Sequence, residues 1–408
     1  MGVGAASAFP HHARPTTRRS TTTMSTSISF PRFLRMGPGA VEDLGQVLTD
    51  LGVERPLLVT DKFMVSTGAA DRVMSIIAAA GKTGALFAET VPDPTTDSLT
   101  AGVAAVAAHD ADAVIGFGGG SPMDTAKALS VLSKGGGIMR DYKAPGPYTG
   151  PALPIIAIPT TAGSGSEATQ FTVITDSESD EKMLCPGLSF LPIASVVDPE
   201  LTMSMPPRLT ADTGVDALTH AIEAYVSKKA NPISDALALN AMRTIGKFLV
   251  RAYTDGNDAE ARAAMMAAST QAGMAFSNAS VCLVHGMSRP IGGHFHVAHG
   301  LSNAMLLPAI TAFSIPGAPE RYAECGRQLG AAHEGDSDDV ASAALVSYIE
   351  KLCATVEVPS PSSHGIDAEK WESLVPLMAE QALASGSPNN NPVVPTAQQI
   401  EELYRQVF

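Results

Sequence analysis

Histidines are unusually dense in the segment VHGMSRPIGGHFHVAHG, residues 284–300. Four of the chain's ten histidines fall within fifteen consecutive positions, namely His285, His294, His296 and His299. Neutral imidazole is the commonest side-chain ligand of metal ions, and it also acts as a general acid or base. The segment therefore predicts a site at which some of these imidazoles bind a metal ion or move protons.

A second pair of ligand-type residues lies in GVDALTHAIEAY, where Asp216 and His220 are four residues apart. On a helix this spacing places both side chains on one face, one turn apart. If the motif stood alone, a polar pair on a solvated helix face would be an equal alternative. Together with His285 and His299, the pair provides one carboxylate and three imidazoles. That set suits Fe²⁺ or Zn²⁺ and is too rich in nitrogen for Mg²⁺ or Ca²⁺.

Two glycine-rich loops follow candidate strands: ADAVIG runs into FGGGSPMDTAKAL, and LPIIAI runs into PTTAGSGSEAT. Glycines let the backbone approach an anion, and a helix N-terminus offers unpaired N–H donors and the positive end of its dipole. The first loop is not a P-loop, because no GK[ST] follows, and Ser121 replaces the last glycine of G-x-G-x-x-G. Alone it is equally consistent with a tight turn, but the two loops together favour a ligand that carries a diphosphate.

Asp61 ends the candidate strand PLLVTD. A carboxylate there can accept hydrogen bonds from a ribose diol and repel a 2′-phosphate, which favours NAD(H) over NADP(H). The alternative interpretation is a helix N-cap. The order differs from the standard dinucleotide fingerprint, because the acidic residue precedes the glycine-rich loop instead of following it.

The elements that carry these motifs change character once along the chain. From about residue 56 to 199, short β-branched runs alternate with alanine-rich helical stretches. This alternation predicts an α/β dinucleotide-binding domain at residues 24–205, with a parallel, Rossmann-like sheet. Beyond the two prolines of MPPR the strand signal disappears. Long helical patterns then predict an all-α domain for metal and substrate at residues 206–408.

Composition excludes several classes of protein. The chain has 408 residues, of which 45% are hydrophobic and 17% charged, as in soluble proteins with a large core. A net charge of −14 argues against a nucleic-acid partner. No apolar run approaches the ~20 residues that span a membrane. Four scattered cysteines without a CxxC pair fit a reducing compartment, so we expect a cytoplasmic protein.

The first 23 residues, MGVGAASAFPHHARPTTRRSTTT, contain no acidic residue and no apolar core of a secretory signal. Two interpretations compete: a targeting segment removed after import into an organelle, or an extraneous tail translated upstream of a true start at Met24. We favour the tail, because no convincing amphipathic helix can be drawn there, and we exclude the segment from the analysis of the fold.

Taken together, the motifs resemble the iron-containing (group III) alcohol dehydrogenases. The resemblance rests on GGGSPMD, PTTAGSGSE, VITD followed by EKM, GVDALTHAIEAYVS and VHGMSRPIGGHFHVAHGLSNAMLLP, in this order. It implies a metal-dependent enzyme that transfers hydride between NAD(H) and a small alcohol, diol or hydroxy acid, assembled as a homodimer or larger. The implied ligands of Fe²⁺ or Zn²⁺ are Asp216, His220, His285 and His299. The implied cofactor-binding residues are Asp61, Gly118, Gly119, Gly120, Ser121, Asp124, Thr160, Thr161, Ser164 and Lys182.

The sequence departs from this family four residues after His285, where many members have another histidine close to the substrate. Here the position is Arg289, which is charged at any working pH and cannot shuttle a proton. Two interpretations are open: Arg289 binds an anionic group of the substrate, or it pairs with a protein carboxylate. His294 and His296 fall where the family needs no histidine. Packing is the favoured role for them and replacement of the lost proton relay the alternative, so Arg289, His294 and His296 are the catalytic candidates.

Rival functions share parts of this pattern. A reductase of the maleylacetate or 4-hydroxybutyrate dehydrogenase type would act on an anionic substrate, although maleylacetate reductases generally lack the full set of metal ligands. Glycerol dehydrogenases and dehydroquinate synthases join similar domains. A non-catalytic NAD-binding protein is the remaining class. Retention of all four ligands and of both phosphate loops argues against it.

Overall fold

The computed structural model describes residues 1–2 and 26–408. The N-terminal segment 1–23 therefore lies outside the described residues, apart from its first two positions. The described part of the chain begins with alternating strands and helices. Its strands are β1 (Phe33–Met36), β2 (Pro56–Val59), β3 (Ala85–Phe87), β4 (Ala113–Gly118), β5 (Ile155–Pro159), β6 (Phe171–Thr175), β7 (Lys182–Pro186) and β8 (Ala194–Val197). Its helices are α1 (Leu44–Leu51), α2 (Lys62–Ser66), α3 (Ala69–Ala79), α4 (Leu99–His109) and α5 (Gly120–Gly135).

Six of these strands form one parallel sheet in the order β1-β8-β5-β4-β2-β3. Every residue of the central strands β4 and β5 is buried, which explains their continuous apolar sequences AVIGFG and IIAIP. Gly118 at the end of β4 is in register with Pro159 at the end of β5. This register brings the two glycine-rich loops to the same edge of the sheet.

The predicted parallel sheet is confirmed, with one strand misplaced. FTVITD was expected among the sheet strands, but it forms β6, which pairs antiparallel with β7 in a separate hairpin. Buried and partly exposed positions alternate in both hairpin strands. Such alternation is typical of a ribbon with one covered face, whereas a central strand of a parallel sheet is covered on both faces. The edge strand β1 and the hairpin strand β7 were not predicted.

Helices make up the rest of the described chain. Strands end at Val197 and helix α6 begins at Pro207, while the division at residues 205 and 206 stays a prediction. None of the helices among the described residues is long and apolar enough to cross a membrane. The helices of this part are α6 (Pro207–Val226), α7 (Pro232–Thr254), α8 (Ala259–Ala279), α9 (Leu283–Phe295), α10 (His299–Ser314), α11 (Pro319–Gln328), α12 (Asp338–Thr355), α13 (Ala368–Ala384) and α14 (Ala397–Val407).

Helix α6 is the centre of the helical part. It packs against α7, α8 and α10, and its residues from Thr210 to Val226 are almost all buried. Polar side chains inside such a helix must be hydrogen-bonded or bind a ligand, because burial of an unpaired polar group is costly. Asp216, His220 and Glu223 are three such side chains, and they define where the site lies.

Candidate metal and cofactor site

A cavity of about 460 Å³ separates the carboxyl edge of the sheet from the helical part. Both groups of predicted site residues contribute to its walls, in agreement with the expectation that ligands bind at this edge of an open α/β sheet. On the side of the sheet it is lined by Gly119, Gly120, Ser121, Asp124, Thr161, Ser164 and Lys182. On the helical side it is lined by Asp216, His220, His285, Arg289 and His299.

Asp216, His220, His285 and His299 converge in this cavity, with one ligand atom from each lying within 4.8 Å of all the others. The Nε2 atoms of His220 and His285 lie 3.9 and 3.7 Å from Oδ1 of Asp216. The first two residues come from one face of α6, and the others begin helices α9 and α10. The structure therefore joins the two halves of the ligand set that the sequence separates by 65 residues or more.

In two of the imidazoles, the ring nitrogen that faces away from the cluster is hydrogen-bonded to the protein. Nδ1 of His220 donates to the carbonyl oxygen of Gly163 at 3.2 Å, and Nδ1 of His285 donates to Oε2 of Glu223 at 2.7 Å. Each bond fixes a tautomer in which Nε2 carries a lone pair towards the cluster. Burial lowers the pKa of His285 well below its usual value and that of His299 to about 3, so both rings are neutral, the form that can bind a metal ion.

Glu223 is a functional residue that sequence reasoning missed. Its carboxylate also accepts the backbone N–H groups of Cys282 at 2.8 Å and Val284 at 2.6 Å, at the start of α9. Burial raises the pKa of Glu223 to about 7. The available signal was its position seven residues after Asp216, because a spacing of seven returns to the same helix face.

Asn303 of α10 was also missed, and it provides a test of the donor set. Its Nδ2 lies 2.7 Å from Oδ1 of Asp216, 3.1 Å from Nε2 of His285 and 3.3 Å from Nε2 of His299. The NH₂ group of Asn303 thus lies where the lone pairs of Asp216, His285 and His299 converge. Its Oδ1 is buried without a partner among the described residues. One carboxylate and neutral imidazoles pointing at a single position fit a divalent transition-metal ion.

The first glycine-rich loop has the geometry of an anion site. Gly118 has a φ of 145°, and a Cβ there would lie 2.7 Å from Cγ of Pro122, so only glycine fits. Gly119 precedes α5, and Gly120 is its first residue. The N-terminus of α5 therefore points unpaired N–H groups into the cavity.

The second loop faces the first. A Cβ on Gly119 would lie 3.5 Å from Cγ2 of Thr161, and a Cβ on Gly120 would lie 3.6 Å from Cβ of Ser164. Thr160 is buried behind them, and its N–H donates to the carbonyl of Gly118 at 2.9 Å. Thr161 and Ser164 are therefore available to a ligand, whereas Thr160 ties the two loops together.

Asp124 faces the protein as well as the cavity. It accepts hydrogen bonds from Oγ of Ser166 at 3.1 Å and from the N–H of Val173 at 3.2 Å. Burial raises the pKa of Asp124 to about 6. These contacts connect α5 to the second loop and to β6, so Asp124 positions the loops in addition to any contact with a cofactor.

Lys127, one turn beyond Asp124 on α5, is fully buried and was not predicted as a site residue. Its Nζ donates to Oγ of Ser166 at 2.9 Å, to Oγ1 and the carbonyl of Thr169 at 3.0 and 3.1 Å, and to the carbonyl of Phe171 at 2.8 Å. Burial lowers the pKa of Lys127 to about 8. The ammonium group thus connects α5, the second loop and the hairpin.

Replacing Lys127 by Met is expected to lower the free energy of unfolding by about 3 kcal/mol, because buried acceptors and carboxylates lose their cation. Met retains the length and apolar bulk of the side chain. Urea denaturation measures the loss, with Lys134→Met at the exposed end of the same helix as the control. The control is expected to change stability by less than about 0.5 kcal/mol. Equal losses in both variants would contradict the structural role of Lys127.

Asp61 and Lys182 already have protein partners. Oδ1 of Asp61 accepts the N–H of Met64 at 2.9 Å, which is the N-cap that the sequence left as an alternative. Asp61 follows β2, the neighbour of β4, so it lies at the same edge of the sheet as the first loop. Nζ of Lys182 lies 2.9 Å from Oδ1 of Asp93, and both line the cavity.

Arg289 lines the helical side of the cavity. Burial lowers the pKa of its guanidinium to about 10, which still leaves it charged at neutral pH. One hydrogen bond, from NH1 to Oγ of Ser387 at 3.0 Å, holds the side chain. Within the described residues it forms no ion pair within 4.0 Å. This geometry does not support the interpretation in which Arg289 pairs with a protein carboxylate.

The structure places His294 and His296, for which packing is the favoured role and catalysis the alternative, away from the cavity. Nε2 of His294 is hydrogen-bonded to Oε1 of Gln381 at 2.8 Å, in the direction of α13. His296 is exposed and ends α9 in the left-handed conformation, with a φ of 55°. Neither ring contributes to the cavity lined by the described residues, because α9 directs them away from the face that carries His285.

Comparisons with known proteins agree with this site. A family model described as iron-containing alcohol dehydrogenase matches residues 31–199, and a model of the C-terminal part of the same family matches residues 210–408. The chain is 37% identical over 384 residues to the NAD-dependent methanol dehydrogenase of Bacillus methanolicus, a match that covers 94% of this chain and 100% of that protein.

Solved structures show the same fold. The structure of a 1,3-propanediol oxidoreductase matches with a TM-score of 0.90 and 35% identity, covering 94% of this chain and 100% of that one. The sulfoacetaldehyde reductase of Bifidobacterium kashiwanohense, solved in complex with NAD⁺, matches with a TM-score of 0.83 and 28% identity, covering 94% and 99% of the two chains. The chain belongs to the iron-containing alcohol dehydrogenase family, and it is a metal-dependent, NAD-dependent oxidoreductase that acts on CH–OH donors.

Proposed function

We propose that Asp216, His220, His285 and His299 hold one Fe²⁺ ion, and that the cavity beside it converts small alcohols and aldehydes into one another. The observation that carries this proposal is the convergence of the four ligand atoms within 4.8 Å, at the wall of the same cavity as the glycine-rich loops. When bound, such an ion acts as a Lewis acid that polarises the substrate oxygen.

The chain's own residues supply binding and orientation. The first loop and the N-terminus of α5 accept the pyrophosphate of NAD(H), and the hydroxyls of Thr161 and Ser164 lie on the opposite side of the same cleft. Lys182 extends into the cavity from β7 and is placed to contact the cofactor ribose. The protein thereby aims the nicotinamide at a substrate held on the helical side, and correct aim accounts for a large part of such rate accelerations.

The choice of iron over zinc rests on the family. One carboxylate and three imidazoles accept either ion, and most sites bind Zn²⁺ more tightly than Fe²⁺. Reconstitution of metal-free protein with each ion under anaerobic conditions tests the proposal. We expect Fe²⁺ to restore more NAD⁺-dependent turnover than Zn²⁺. Higher turnover with Zn²⁺ would contradict it.

The proposed substrate class rests on the relatives. The relatives named above act on methanol, 1,3-propanediol and sulfoacetaldehyde, all of which are short. A screen of C2–C6 alcohols, diols and hydroxy acids with NAD⁺ and Fe²⁺, followed by the absorbance of NADH, tests the function directly. Absence of NADH with every compound would refute it. Assembly as a homodimer or larger oligomer, carried by the resemblance, and a cytoplasmic location, carried by the scattered cysteines, are part of the same proposal.

A preference for NAD(H) over NADP(H) is proposed from Asp61. The ratio of kcat/KM with NAD⁺ to kcat/KM with NADP⁺ measures this preference. We expect Asp61→Asn to lower the ratio about tenfold, because it removes a carboxylate that repels a 2′-phosphate. Asn caps helices as well as Asp does, so the start of α2 is retained. Asp61→Gly removes charge and cap together and is expected to narrow the ratio similarly. Wild-type enzyme with a higher kcat/KM for NADP⁺ would contradict the assignment.

A further inference from the structure

Arg289 lies one helical turn after His285 on α9, and both side chains line the cavity. A spacing of four residues places them on the same face of the helix. The guanidinium therefore belongs to the same wall of the cavity as His285, one of the proposed metal ligands. A group in this wall can contact a substrate that binds beside the metal site.

Most of the donors of Arg289 have no acceptor among the described residues. A guanidinium has five N–H groups, and one hydrogen bond to Ser387 uses one of them. The Nε and NH2 atoms make no hydrogen bond with any described residue, yet they are not among the described side-chain atoms that are fully buried without a partner. These nitrogens consequently keep accessible surface, and the residue lines the cavity.

Arg262 shows what a structural buried arginine looks like in the same helical part. Its Nε donates to the carbonyl of Gly256 at 3.0 Å, NH1 to Oγ1 of Thr210 at 2.7 Å, and NH2 to the carbonyl of Met205 at 3.0 Å. All three nitrogens are thus satisfied by the protein. Arg289 differs because its Nε and NH2 have no acceptor among the described residues.

Among the described residues, no carboxylate forms an ion pair with Arg289. Glu223 is the carboxylate that influences it at longer range, but that carboxylate already accepts three hydrogen bonds around the start of α9. The other cation in the cavity, Lys182, is paired with Asp93. A partly enclosed guanidinium without a carboxylate partner is stabilised when an anion binds beside it.

We propose that Arg289 binds an oxyanion head group of the substrate, a carboxylate or a sulfonate, so that the preferred substrates are short aldehydes that carry such a group and the matching hydroxy acids. This inference rests on the proposed function. The planar fork of arginine matches two oxygens of either group. The reaction itself is unchanged: hydride moves from NADH to the carbonyl carbon, a proton is added to its oxygen, and NAD⁺ and the alcohol are formed.

The first test measures binding without turnover. Butyrate, butane-1-sulfonate and butyramide are titrated by calorimetry into enzyme loaded with metal and NADH. We expect each anion to bind roughly 10- to 100-fold more tightly than the neutral amide, as a charge-assisted contact implies. Arg289→Met is expected to abolish the difference, and Arg289→Lys to retain part of it. Equal binding of the amide and both anions to the wild-type enzyme would overturn the proposal.

The second test compares the turnover of 4-hydroxybutyrate and 1,4-butanediol, which have equal length. The ratio of their kcat/KM values is expected to fall about 10- to 100-fold in Arg289→Met. Arg289→His, which restores the family's usual residue, is expected to shift the preference towards the diol. Equal losses on both substrates, accompanied by a lower Tm, would assign Arg289 a structural role and overturn the inference. Failure of the proposed function looks different, because no alcohol would then form NADH although the difference in anion binding persists.

Discussion

Replacement of His220 by Ala will release the metal ion and lower kcat/KM by at least about 1,000-fold, since Lewis-acid stabilisation is worth several kcal/mol. His220 contributes one of four ligand atoms, and its ring is fixed by Gly163 and by stacking on Phe276 at a centroid distance of 4.2 Å. No side chain of similar chemistry is placed to replace it among the described residues of the cluster. Metal content after dialysis and steady-state turnover measure the two effects.

Binding of NADH should survive this change, because the glycine-rich loops belong to the sheet side of the cavity. Titration of NADH fluorescence therefore separates loss of the metal from loss of the fold. His294→Ala is the matched control, since it removes an imidazole from α9 that is hydrogen-bonded to Gln381 outside the cavity. We expect the control to retain its metal ion. A His220→Ala protein with a full complement of metal and normal turnover would refute the ligand assignment.

Each pair of candidate ligands could be recognised from the sequence, but their proximity in the folded protein could not. Asp216 and His220 are related by helical spacing, a local property that can be read from any sequence. Their approach to His285 and His299 depends on how α10 packs against both α6 and α9, which no spacing encodes. Residue types suggested that Asp216, His220, His285 and His299 form one set, and the resemblance to a known family implied the same four ligands.

What the sequence did not reveal is mostly buried and polar. Glu223, Asn303 and Lys127 carry no motif of their own, because their importance comes from burial and from partners distant in the chain. Two histidines show the converse case, with packing as the favoured role and catalysis as the alternative. His294 and His296 were conspicuous by residue type, but α9 turns them away from the cavity. Residue type alone therefore did not distinguish the candidate ligands from the other histidines. A second observation, such as helical spacing or the family resemblance, was needed.

Helix α6 carries two candidate metal ligands and the carboxylate that orients a third. Few helices tolerate a carboxylate, an imidazole and a second carboxylate on a face without solvent, since each charge must be compensated. Here Asp216 and His220 point at the ion site, while Glu223 satisfies the start of α9 and orients His285. The stability of the helical part and the affinity for the metal ion consequently depend on the same side chains.

The second large effect is expected for Glu223→Gln. An amide has the size of the carboxylate, but it accepts through one oxygen only. Its NH₂ group therefore faces either the N–H of Val284, which donates to Oε1 of Glu223, or the N–H groups of Cys282 and His285, which donate to Oε2. The Nδ1–H of His285 loses its charged acceptor, so the ring is held less firmly with Nε2 towards the ion. Changes of this kind in the partners of metal ligands typically weaken metal binding about 10- to 100-fold, and we expect that range here.

Competition with a chelator measures the affinity for the metal ion, and thermal unfolding of the metal-free protein measures stability separately. We expect the metal-free variant to lose about 1–3 kcal/mol, because buried N–H groups at the start of α9 lose an acceptor. The double variant with His285→Ala distinguishes the two roles. If Glu223 acts on the metal through His285, its effect on metal affinity should largely vanish once the imidazole is removed, while its effect on stability remains. A loss of stability with unchanged metal affinity in the single variant would show that Glu223 supports the fold alone.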